Sequence, residues 1–574
     1  MQKSQLLNKL WEIQNKNGYI STTEISRLSS ELNISKIEVE SLISFYHFFH
    51  KKPTGKNTIY LNTSIISSIK GFLDVKNAFE NETGCTFNEK GNELFSLHET
   101  SCIGMEDQEP AALINFLPFT NLTPKKVQLI INKIKANVPL EKYTSKTKSI
   151  IQYTPKNNNA IIFRNYQMGN SVKQILNFTP QEIIDKITTS NLLGCGGAFF
   201  PVGRKWQSCK NNDDDAKYII CNADEGEPGT FKDRALFQHI PGLIFEGMIL
   251  AGYATNANEG IVYLRAEYQY LLPELNKVLN TLRANKYLGT NILDIPDFNF
   301  DIRIQLGAGA YVCGSASALI ESLEGRRGEP PIRNYSATKH GYLHKPTIVN
   351  NVESLAYAAR IIELGEELYL SMGTTKSPGT KLISVSGDVA KPGIYEIEYG
   401  MPIYNLLSME MAQATSPYFV QVGGPSGECV GPSEFERKIC KEDIMCGGSF
   451  MVFNRTRDIA DILRNYMEFF KEESCGVCTP CRAGNNILNE KVKKMQRGLC
   501  SQNDINEIKQ WGKILQLSSR CGLGKSSANT LIAATTKFND YFSVKIAPNS
   551  IENVEFDMEM AINEFDTIIK DTQL

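Results

Sequence analysis

Apolar residues recur at helical spacing through the first fifty positions of the chain. Intervals of three to four residues are typical of helices with one buried face. Ser21 and Glu24 have the separation of a capping box at a helix start. These features predict a small helical lead-in. Its apolar positions are Leu6, Leu7, Leu10 and Ile13, then Ile43, Phe45, Tyr46, Phe48 and Phe49.

Strand and helix patterns follow one another over the next eighty residues. Thr58-Ile-Tyr-Leu61 predicts a short strand, and a second strand is expected near Leu94. A helix is predicted over 124–136, with its N-cap supplied within Asn121-Leu-Thr123. The stretch 142–159 is charged, rich in Asn and poor in apolar residues, which predicts a linker and the best domain boundary in the chain.

Beyond the linker the pattern changes twice. Strands such as 217–221 and 260–264 alternate with helices, as in a parallel sheet covered on both faces. Residues 380–455 are rich in strand patterns, and the apolar period is helical from 456 onward. The predicted boundaries are 1–138 for the lead-in with its α/β unit, 139–165 for the linker, 166–375 for a larger α/β domain, 376–455 for a β-grasp-like domain and 456–574 for a helical domain.

Composition excludes several classes of function. The chain has 61 Lys and Arg against 63 Asp and Glu, a formal net charge of −2, which gives no reason to expect nucleic acid or an acidic membrane surface as a partner. The first eleven residues lack the apolar segment of a signal peptide, and no stretch reaches 18 charge-free apolar residues. We therefore expect a cytoplasmic protein without direct membrane insertion, whose 14 cysteines are reduced thiols or metal ligands.

Four cysteines near the C-terminus form the most specific motif. Two residues separate Cys475 from Cys478 and Cys478 from Cys481, and Cys521 follows 40 residues later. Three thiolates at this spacing can take three corners of one cubic cluster while a distant fourth closes the last corner, which is the ligand pattern of a [4Fe-4S] cluster. Structural zinc usually takes two separated pairs of ligands. A zinc site and unliganded thiols are the alternatives.

Two loops of the larger α/β domain have the composition of ligand sites. The loop 193–206 contains four glycines, whose bare N–H groups can approach a phosphate, and Lys205 is available as a cation. A second loop follows a predicted strand, and carboxylates so close together favour a ligand site over a neutral turn. The turn 307–314 exposes more backbone, and Asn350 and Asn351 offer paired amides. The polar residues of the second loop are Asn222, Asp224, Glu225 and Glu227.

In their order and in their amino-acid sequences, these segments resemble the FMN- and NADH-binding subunit of respiratory complex I and its relatives over nearly the whole chain. The N-terminal strings are similar to the flavin-containing diaphorase subunit of the bidirectional, NAD-reducing soluble hydrogenase. The resemblance implies a thioredoxin-like N-terminal domain, a Rossmann-like FMN/NAD domain, a β-grasp (SLBB or ubiquitin-like) domain and a C-terminal helical bundle with a [4Fe-4S] cluster. The strings that carry it are Ser44-Phe-Tyr-His-Phe-Phe49, Cys102-Ile-Gly104, Asp107-Gln-Glu-Pro110, Asn222-Ala-Asp-Glu-Gly-Glu-Pro-Gly-Thr230, Gly307-Ala-Gly-Ala-Tyr-Val-Cys-Gly314, Val349-Asn-Asn-Val-Glu353 and Glu473-Ser-Cys-Gly-Val-Cys-Thr-Pro-Cys-Arg482.

The resemblance implies an oxidoreductase subunit that passes electrons between NADH or NAD+ and iron–sulfur clusters through FMN. Its implied partners are an iron–sulfur diaphorase subunit and the hydrogenase large and small subunits. FMN suits this task because it exchanges electrons in pairs with a nicotinamide and singly with a cluster. Glu227 is expected to face the dinucleotide and Phe200 to stack in the nicotinamide cleft. The implied cofactor-binding residues are Gly194, Gly196, Gly197, Gly203, Lys205, Asn222, Asp224, Glu225, Tyr311, Gly314, Asn350 and Asn351.

The chain departs from the family pattern around the nicotinamide cleft. Relatives carry acidic residues at the positions of Ser315 and Ala316, and an aromatic, proline-rich segment near 333–336. We expect FMN to bind but NADH to bind more weakly, with the ring of Phe199 obstructing a turn built for close contact. Stacking and charge from Tyr335 and Arg333 are the alternative that would restore affinity. In the glycine loop, Arg, Arg, Gly and Thr of relatives are replaced by Leu193, Cys195, Phe199 and Val202.

The N-terminal domain departs from its relatives as well. Four cysteines hold a [2Fe-2S] cluster in the related stand-alone subunit, and the matching positions here are Asn62, Ser67, Cys102 and Glu106. One thiolate cannot replace a set of four. The domain is therefore predicted to be a degenerate, iron-free module for docking a partner.

Two functions of different classes remain at this point. The first is an NADH-dependent oxidoreductase subunit of an NAD-reducing hydrogenase. The second is an electron-relay or assembly subunit whose dinucleotide site has changed or been lost. A flavin subunit of a formate dehydrogenase or of complex I itself would differ from the first in its partners more than in its chemistry. NADH and NADPH, and the two directions of electron flow, are alternatives within the first.

Overall fold

Three helices open the chain, as the apolar spacing predicted. In this computed structural model, which describes residues 3–156, 159–332 and 336–546, they are α1 (Leu6–Asn17), α2 (Thr22–Leu32) and α3 (Lys36–Phe45). The hydroxyl of Ser21 accepts from the Glu24 N–H and so caps α2. Arg333 and Tyr335, whose compensating contacts were an alternative above, lie outside the described residues.

A small α/β unit follows the lead-in, with a four-stranded sheet in the order β2-β1-β3-β4. The first two strands pair in parallel and the other pairs are antiparallel. Thr123 caps the last helix, as its sequence predicted. The elements are β1 (Asn57–Asn62), α4 (Ile65–Ile69), α5 (Phe72–Thr83), β2 (Phe95–Thr100), β3 (Ala112–Ile114), β4 (Leu117–Phe119) and α6 (Pro124–Lys135).

The larger α/β domain is built on a four-stranded, fully parallel sheet in the order β8-β7-β6-β9. Helices cover it, and α11 and α14 are buried along nearly their whole length because they form the centre of the apolar core. Its strands are β6 (Tyr218–Ala223), β7 (Glu259–Leu264), β8 (Asp301–Leu306) and β9 (Thr347–Asn351). Its helices are α7 (Asn170–Lys173), α8 (Pro180–Thr189), α9 (Val202–Lys210), α10 (Lys232–His239), α11 (Pro241–Thr255), α12 (Leu272–Ala284), α13 (Ala316–Leu323), α14 (Val352–Leu364) and α15 (Glu366–Leu370).

A mixed six-stranded sheet forms the β-grasp-like domain, in the order β13-β12-β14-β10-β11-β5. Its edge strand β5 comes from the segment predicted as a linker, which is therefore held to its neighbours rather than left open to solvent. Thr147 and Ser149 of the same segment are also buried. The elements are β5 (Ile151–Tyr153), β10 (Thr380–Gly387), β11 (Gly393–Glu398), α16 (Ile403–Leu407), β12 (Pro417–Val422), β13 (Glu428–Val430) and β14 (Ser449–Asn454).

Helices make up the rest of the described chain, as predicted. They pack on the lead-in and on the turn 307–314, in one apolar cluster that spans three parts of the sequence. Within the described residues, no single helix is long and apolar enough to cross a membrane, and α10 with α11 passes that test only as a pair bent by 98°. The helices are α17 (Ile459–Glu472), α18 (Thr479–Gln496), α19 (Gln502–Ser518), α20 (Gly522–Ser526), α21 (Asn529–Lys537) and α22 (Asn539–Lys545).

Candidate functional site

Four cysteine thiols meet near the start of α18. Cys475 and Cys478 lie between α17 and α18, Cys481 lies in the first turn of α18, and Cys521 directly precedes α20. Burial raises the pKa of the Cys481 thiol to about 11, against a hydrogen bond with Ser474, and the charges of the other three sulfurs raise it further. The fold therefore brings all four predicted ligands to one place.

The surroundings of these thiols suit an iron–sulfur cluster. Ser474 Oγ and Asn485 Nδ2 each lie 3.4 Å from the Cys481 sulfur, and hydrogen bonds to sulfur tune the potential of a bound cluster. A side chain at Gly524 would lie 3.2 Å from the same sulfur, so a glycine at this position keeps the space beside the sulfur free. Among the described residues, no three His, Cys, Asp or Glu side chains are placed to hold a single metal ion.

The predicted glycine loop is a tight reversal between α8 and α9. The Gly194 N–H donates to the carbonyl of Phe200 at 3.0 Å. Gly196 and Gly197 at its tip are exposed, and Gly197 has a φ of +99°, in the left-handed region that favours glycine. Exposed backbone N–H groups of this kind can donate to an anion such as a phosphate.

Phe199 and Gly203 face the interior of the protein instead. The Phe199 side chain is only 4% exposed and packs in a small apolar cluster, so the expectation that its ring obstructs the cleft is wrong. A side chain at Gly203 would strike Thr188 of α8 at 2.3 Å, so helix packing accounts for this glycine and its cofactor contact stays a prediction. The other members of the apolar cluster are Leu193, Tyr399 and Cys440.

Asn222 and Asp224 shape the loop that follows β6. Asn222 Nδ2 donates to the Gly314 carbonyl at 2.7 Å, and Asn222 Oδ1 accepts from the Asp224 N–H at 3.2 Å. Asp224 Oδ2 is buried and has no hydrogen-bond partner among the described residues. Burial raises the pKa of this carboxyl well above its usual value, so its neutral form can offer a hydrogen bond to a ligand.

Glu225 has a structural role that the resemblance did not indicate. Its carboxylate accepts from the N–H groups of Asp233 at 2.8 Å and Arg234 at 3.1 Å, and from the Tyr268 hydroxyl at 2.9 Å. It therefore caps the start of α10, and burial raises its pKa to about 7. Both of its oxygens accept from protein groups, and the implied cofactor contact of this side chain stays a prediction.

Of the two residues predicted to meet the nicotinamide, Phe200 is exposed and Glu227 is half-buried. The Tyr311 hydroxyl donates to Glu227, and the Ser426 N–H donates to its Oε1 at 2.9 Å. Burial raises the pKa of Glu227, and these two hydrogen bonds oppose the shift. The Phe200 ring is 51% exposed, with Lys205 Nζ 6.0 Å from its centroid. Their roles toward a dinucleotide stay predictions.

Asn350 and Asn351 end β9 but offer different groups to a ligand. Asn350 Oδ1 accepts from Trp206 Nε1 at 3.0 Å, whereas its buried Nδ2 has no partner among the described residues. Asn351 is occupied on both sides, because its Nδ2 donates to Asp233 at 2.7 Å and its Oδ1 accepts from the Glu353 N–H at 3.0 Å. The side-chain N–H of Asn350 is therefore available to a ligand, whereas the Asn351 amide is bonded within the protein and supports the loop.

These donors fit the phosphate and the polar ring edge of FMN. The neighbouring parallel strands β6 and β9 end side by side, with Asn222 opposite Asn351, and ligands of such sheets bind beyond the carboxyl ends of the strands. Lys205 Nζ donates to the Val349 carbonyl at 2.7 Å, and burial lowers its pKa to about 8. The orphaned Asn350 amide is the clearest sign that a polar group belongs here.

Sequence reasoning missed a buried ionic network next to the glycine loop. Lys232 Nζ lies 2.6 Å from Asp233 and 3.1 Å from Glu353, and Lys381 also donates to Glu353. Lys381 Nζ lies 3.5 Å from the Cys195 carbonyl as well. The network ties the β-grasp-like domain to the glycine loop and to α14. Its only sequence signal was the position of Glu353 within one of the quoted strings.

The two candidate sites touch one another. The Tyr311 N–H donates to Glu473 Oε2 at 2.9 Å, and the Ser101 hydroxyl donates to Glu473 Oε1 at 2.9 Å. The rings of Tyr311 and Phe469 have centroids 4.9 Å apart. Because Glu473 lies two residues before Cys475, the turn 307–314 is one hydrogen bond away from the segment that holds the cluster thiols.

The four N-terminal positions that match a [2Fe-2S] ligand set do not fit that cluster. Asn62 donates to Glu109, and the Cys102 thiol donates to Glu106 at 3.1 Å. Ser67 Oγ and one oxygen of each carboxyl have no partner among the described residues. A single thiol among these donors is too few for a [2Fe-2S] cluster, and the iron content of the domain stays a prediction.

Comparison with protein-family models finds three matches, in the order that the quoted strings suggested. Residues 187–360 match the Nuo51 FMN-binding domain. Residues 1–135 match the thioredoxin-like [2Fe-2S] ferredoxin, and residues 461–545 match the NADH-ubiquinone oxidoreductase-F iron-sulfur binding region. The predicted fold class is thereby confirmed.

Known proteins resemble the chain along its whole length. The alpha subunit of the NAD-reducing hydrogenase HoxS of Cupriavidus necator is 41% identical over 100% of this chain and 97% of its own. An NADH-quinone oxidoreductase subunit of Aquifex aeolicus is 35% identical over 64% of this chain and 87% of its own. A chain of an NAD+-reducing [NiFe]-hydrogenase, solved in the H2-reduced state, has a TM-score of 0.89 and 32% identity, covering 99% of this chain and 98% of its own.

Proposed function

This chain belongs to the family of the alpha subunit of NAD-reducing hydrogenase, and from that premise we propose that it is the diaphorase subunit of such a complex. It moves electrons between NADH or NAD+ and iron–sulfur clusters through FMN. The observation that carries the proposal is the hydrogen bond of 2.9 Å from the Tyr311 N–H to Glu473, two residues before Cys475. The turn proposed to hold the flavin and the segment proposed to hold the cluster are thus one connected structure.

Each residue has a definite task under this proposal. FMN, when bound, lets a donor of electron pairs serve carriers of single electrons. Lys205 and the Asn350 amide donate to its polar groups, and the exposed N–H groups of Gly196 and Gly197 donate to its phosphate. Glu227 and Phe200 orient the nicotinamide. The cluster ligands are Cys475, Cys478, Cys481 and Cys521.

The N-terminal domain distinguishes the set of partners. The NADH-quinone oxidoreductase relative from Aquifex aeolicus matches 64% of this chain, whereas the hydrogenase alpha subunit matches all of it. The proposed partners are therefore an iron–sulfur diaphorase subunit and the hydrogenase large and small subunits, rather than those of complex I or a formate dehydrogenase. The complex works in the cytoplasm, where thiols stay reduced; all 14 cysteines of the chain are described and none forms a disulfide.

An anaerobic NADH titration of the purified, FMN-loaded chain tests the proposal. NADH should bleach the flavin absorbance in stoichiometric amounts, and an electron paramagnetic resonance signal of the reduced cluster should follow. Glu227→Gln should weaken NADH binding, whereas Glu259→Gln, which alters a partly exposed carboxylate paired with Arg303 on the same sheet, should not. A wild-type chain that holds FMN but is not bleached by NADH would refute it.

One observation favours a second function. The helix α13 begins with no acidic residue in its first turn, and its N-cap Ser315 makes no side-chain capping bond. Relatives carry acids at this place. An electron-relay or assembly subunit with a changed dinucleotide site would retain FMN and the cluster yet fail to bleach in the same titration.

A further inference from the structure

A polar cavity of about 780 Å³ lies between the N-terminal domain, the larger α/β domain and the C-terminal helical region. His47 and Glu99 line it from the N-terminal side, Asp224 and Tyr311 from the proposed flavin side, and Cys475 from the proposed cluster side. The electron route described above does not require such a space. Its position beside the flavin loop suggests that it serves the proton, which the reaction moves in addition to electrons.

Two carboxyl groups at the wall of this cavity have an unpartnered oxygen. Glu267 is only 5% exposed; its Oε1 pairs with Arg265 at 2.5 Å, whereas its Oε2 has no hydrogen-bond partner among the described residues. Asp224 Oδ2 is also buried without a hydrogen-bond partner among the described residues. An ionised carboxylate oxygen buried without a partner is costly, so the Asp224 carboxyl favours its protonated form. The unpartnered oxygen of Glu267 can accept a hydrogen bond from a donor in the cavity, such as a bound water.

Charged groups on three sides affect the pKa of Asp224. Burial is the main cause of the raised pKa of Asp224, which Arg265 opposes and Glu267 and Glu473 reinforce. His47, from the lead-in, faces Glu267, and burial lowers its pKa, so it adds no fixed positive charge. Nearer the rim, burial raises the pKa of the Glu472 carboxyl to about 7. The cavity thus has titratable groups from its inner wall to its outer part.

We propose that this cavity is the proton route of the flavin site, with Asp224 and Glu267 as its inner relay. The inference rests on the proposed function. A hydride from NADH brings two electrons and one proton; once both electrons have left through the cluster, one proton remains and must reach solvent. Asp224 lies on the proposed flavin loop and lines this cavity, so it can connect the two.

The relay moves one proton per hydride and leaves its own charge unchanged. Asp224, neutral at rest, gives its proton outward to Glu267 or to cavity water. Asp224 then takes up the proton from the flavin, which replaces the proton that it gave away. Glu267 passes the proton into the cavity, whose outer carboxyl groups exchange with solvent. Arg265, which pairs with Glu267 and also donates to the Cys102 carbonyl at 2.7 Å, keeps the relay in position.

The test follows proton release separately from electron loss in the FMN-loaded full chain. The flavin is reduced photochemically and mixed with ferricyanide in weakly buffered solution containing a pH-indicator dye. In Glu267→Gln, proton release should slow by about 10²-fold, the usual effect of losing a proton-transfer group. Added formate should restore it, because a small acid can carry protons through the cavity. Since no NADH is used, a failure of the nicotinamide site appears separately, as absent NADH bleaching.

Two further variants keep the test decisive. Glu259→Gln, on the same sheet but away from the cavity, should release protons at the wild-type rate. Asp224→Asn replaces the inner group and should give the same slow, formate-sensitive release, also if Glu267→Gln does not fold. Wild-type proton release in the folded variants, or slow release that formate does not restore, would overturn the proposal.

Discussion

Separate substitutions of Phe199 and Phe200 should distinguish packing from ligand contact within one loop. The two residues are adjacent and have the same side chain, yet Phe199 is 4% exposed and Phe200 is 51% exposed. Phe199 packs with Leu193, Tyr399 and Cys440. The two residues differ in the direction of the ring and in backbone conformation, so each serves as a comparison for the other.

The magnitudes follow from burial and backbone conformation. Phe199→Ala should cost about 3–5 kcal/mol of stability, as for other buried aromatic residues. Phe199 has a φ of +50°, and the left-handed conformation costs a non-glycine residue about 1–2 kcal/mol, which Phe199→Gly would relieve. Phe199→Gly should therefore still cost about 1–4 kcal/mol. If the loop must be ordered to hold FMN, the affinity of the chain for FMN should fall by about fivefold to several hundredfold.

Phe200→Ala should act on the dinucleotide instead. Loss of a half-exposed ring should change stability by about 0.5 kcal/mol or less. Loss of a stacking contact worth about 0.5–1.5 kcal/mol should weaken NADH binding by about two- to twelvefold.

Two titrations separate these outcomes. The dissociation constant of FMN is measured by flavin fluorescence on reconstitution, and that of NADH by anaerobic bleaching. FMN affinity should fall for the Phe199 variants, and NADH affinity alone should fall for Phe200→Ala. If Phe199→Gly binds NADH more tightly than wild type with unchanged FMN affinity, the buried ring is not the reason for this residue and the reasoning fails.

Three other predictions concern the rest of the chain. Cys521→Ser should lower the iron and sulfide content and destabilise the C-terminal helices, because ligation energy is also folding energy; stoichiometric zinc in the wild-type chain would contradict it. Asp107→Ala should cost about 3–5 kcal/mol in urea unfolding, because it leaves the buried Arg234 guanidinium without its carboxylate at 2.6 Å, whereas Asp107→Asn should cost less. Burial lowers the pKa of His98 to about 4, so its stabilising effect is present above pH 6.5 and is lost as the pH falls through 4. The acid transition, followed by tryptophan fluorescence, should move to lower pH in His98→Gln, and an unmoved transition would count against this assignment.

The features that sequence predicted well depend on neighbouring residues. Thr123 caps α6 because its hydroxyl accepts from an N–H three residues ahead, and such a contact is visible in the sequence. The three cysteines Cys475, Cys478 and Cys481 are a similar case, since their close spacing restricts their geometry. The parallel sheet of the larger α/β domain followed from the alternation of strands and helices.

The features that sequence missed depend on distant residues. Phe199 replaces a family glycine, and only the fold shows that its ring packs with Tyr399 and Cys440, which lie 200 or more positions away. Glu225 looked like one more carboxylate of a ligand loop, but it caps a helix eight residues on. The stretch 142–159 has the composition of a linker, yet its Ile151–Tyr153 strand finds an edge of a sheet that forms much later in the chain.

The N-terminal domain has a use that does not require a cluster. Its loop around Cys102 faces inward, where Arg265 donates both to the Cys102 carbonyl and to the carbonyl of Glu225 in the proposed flavin loop. Asp107 of the same segment pairs with Arg234 at the start of α10. Removing the domain would therefore take hydrogen-bond partners away from two buried arginines of the larger α/β domain. The loop around Cys102 here supports the proposed flavin loop, and docking of a partner protein by this domain stays a prediction.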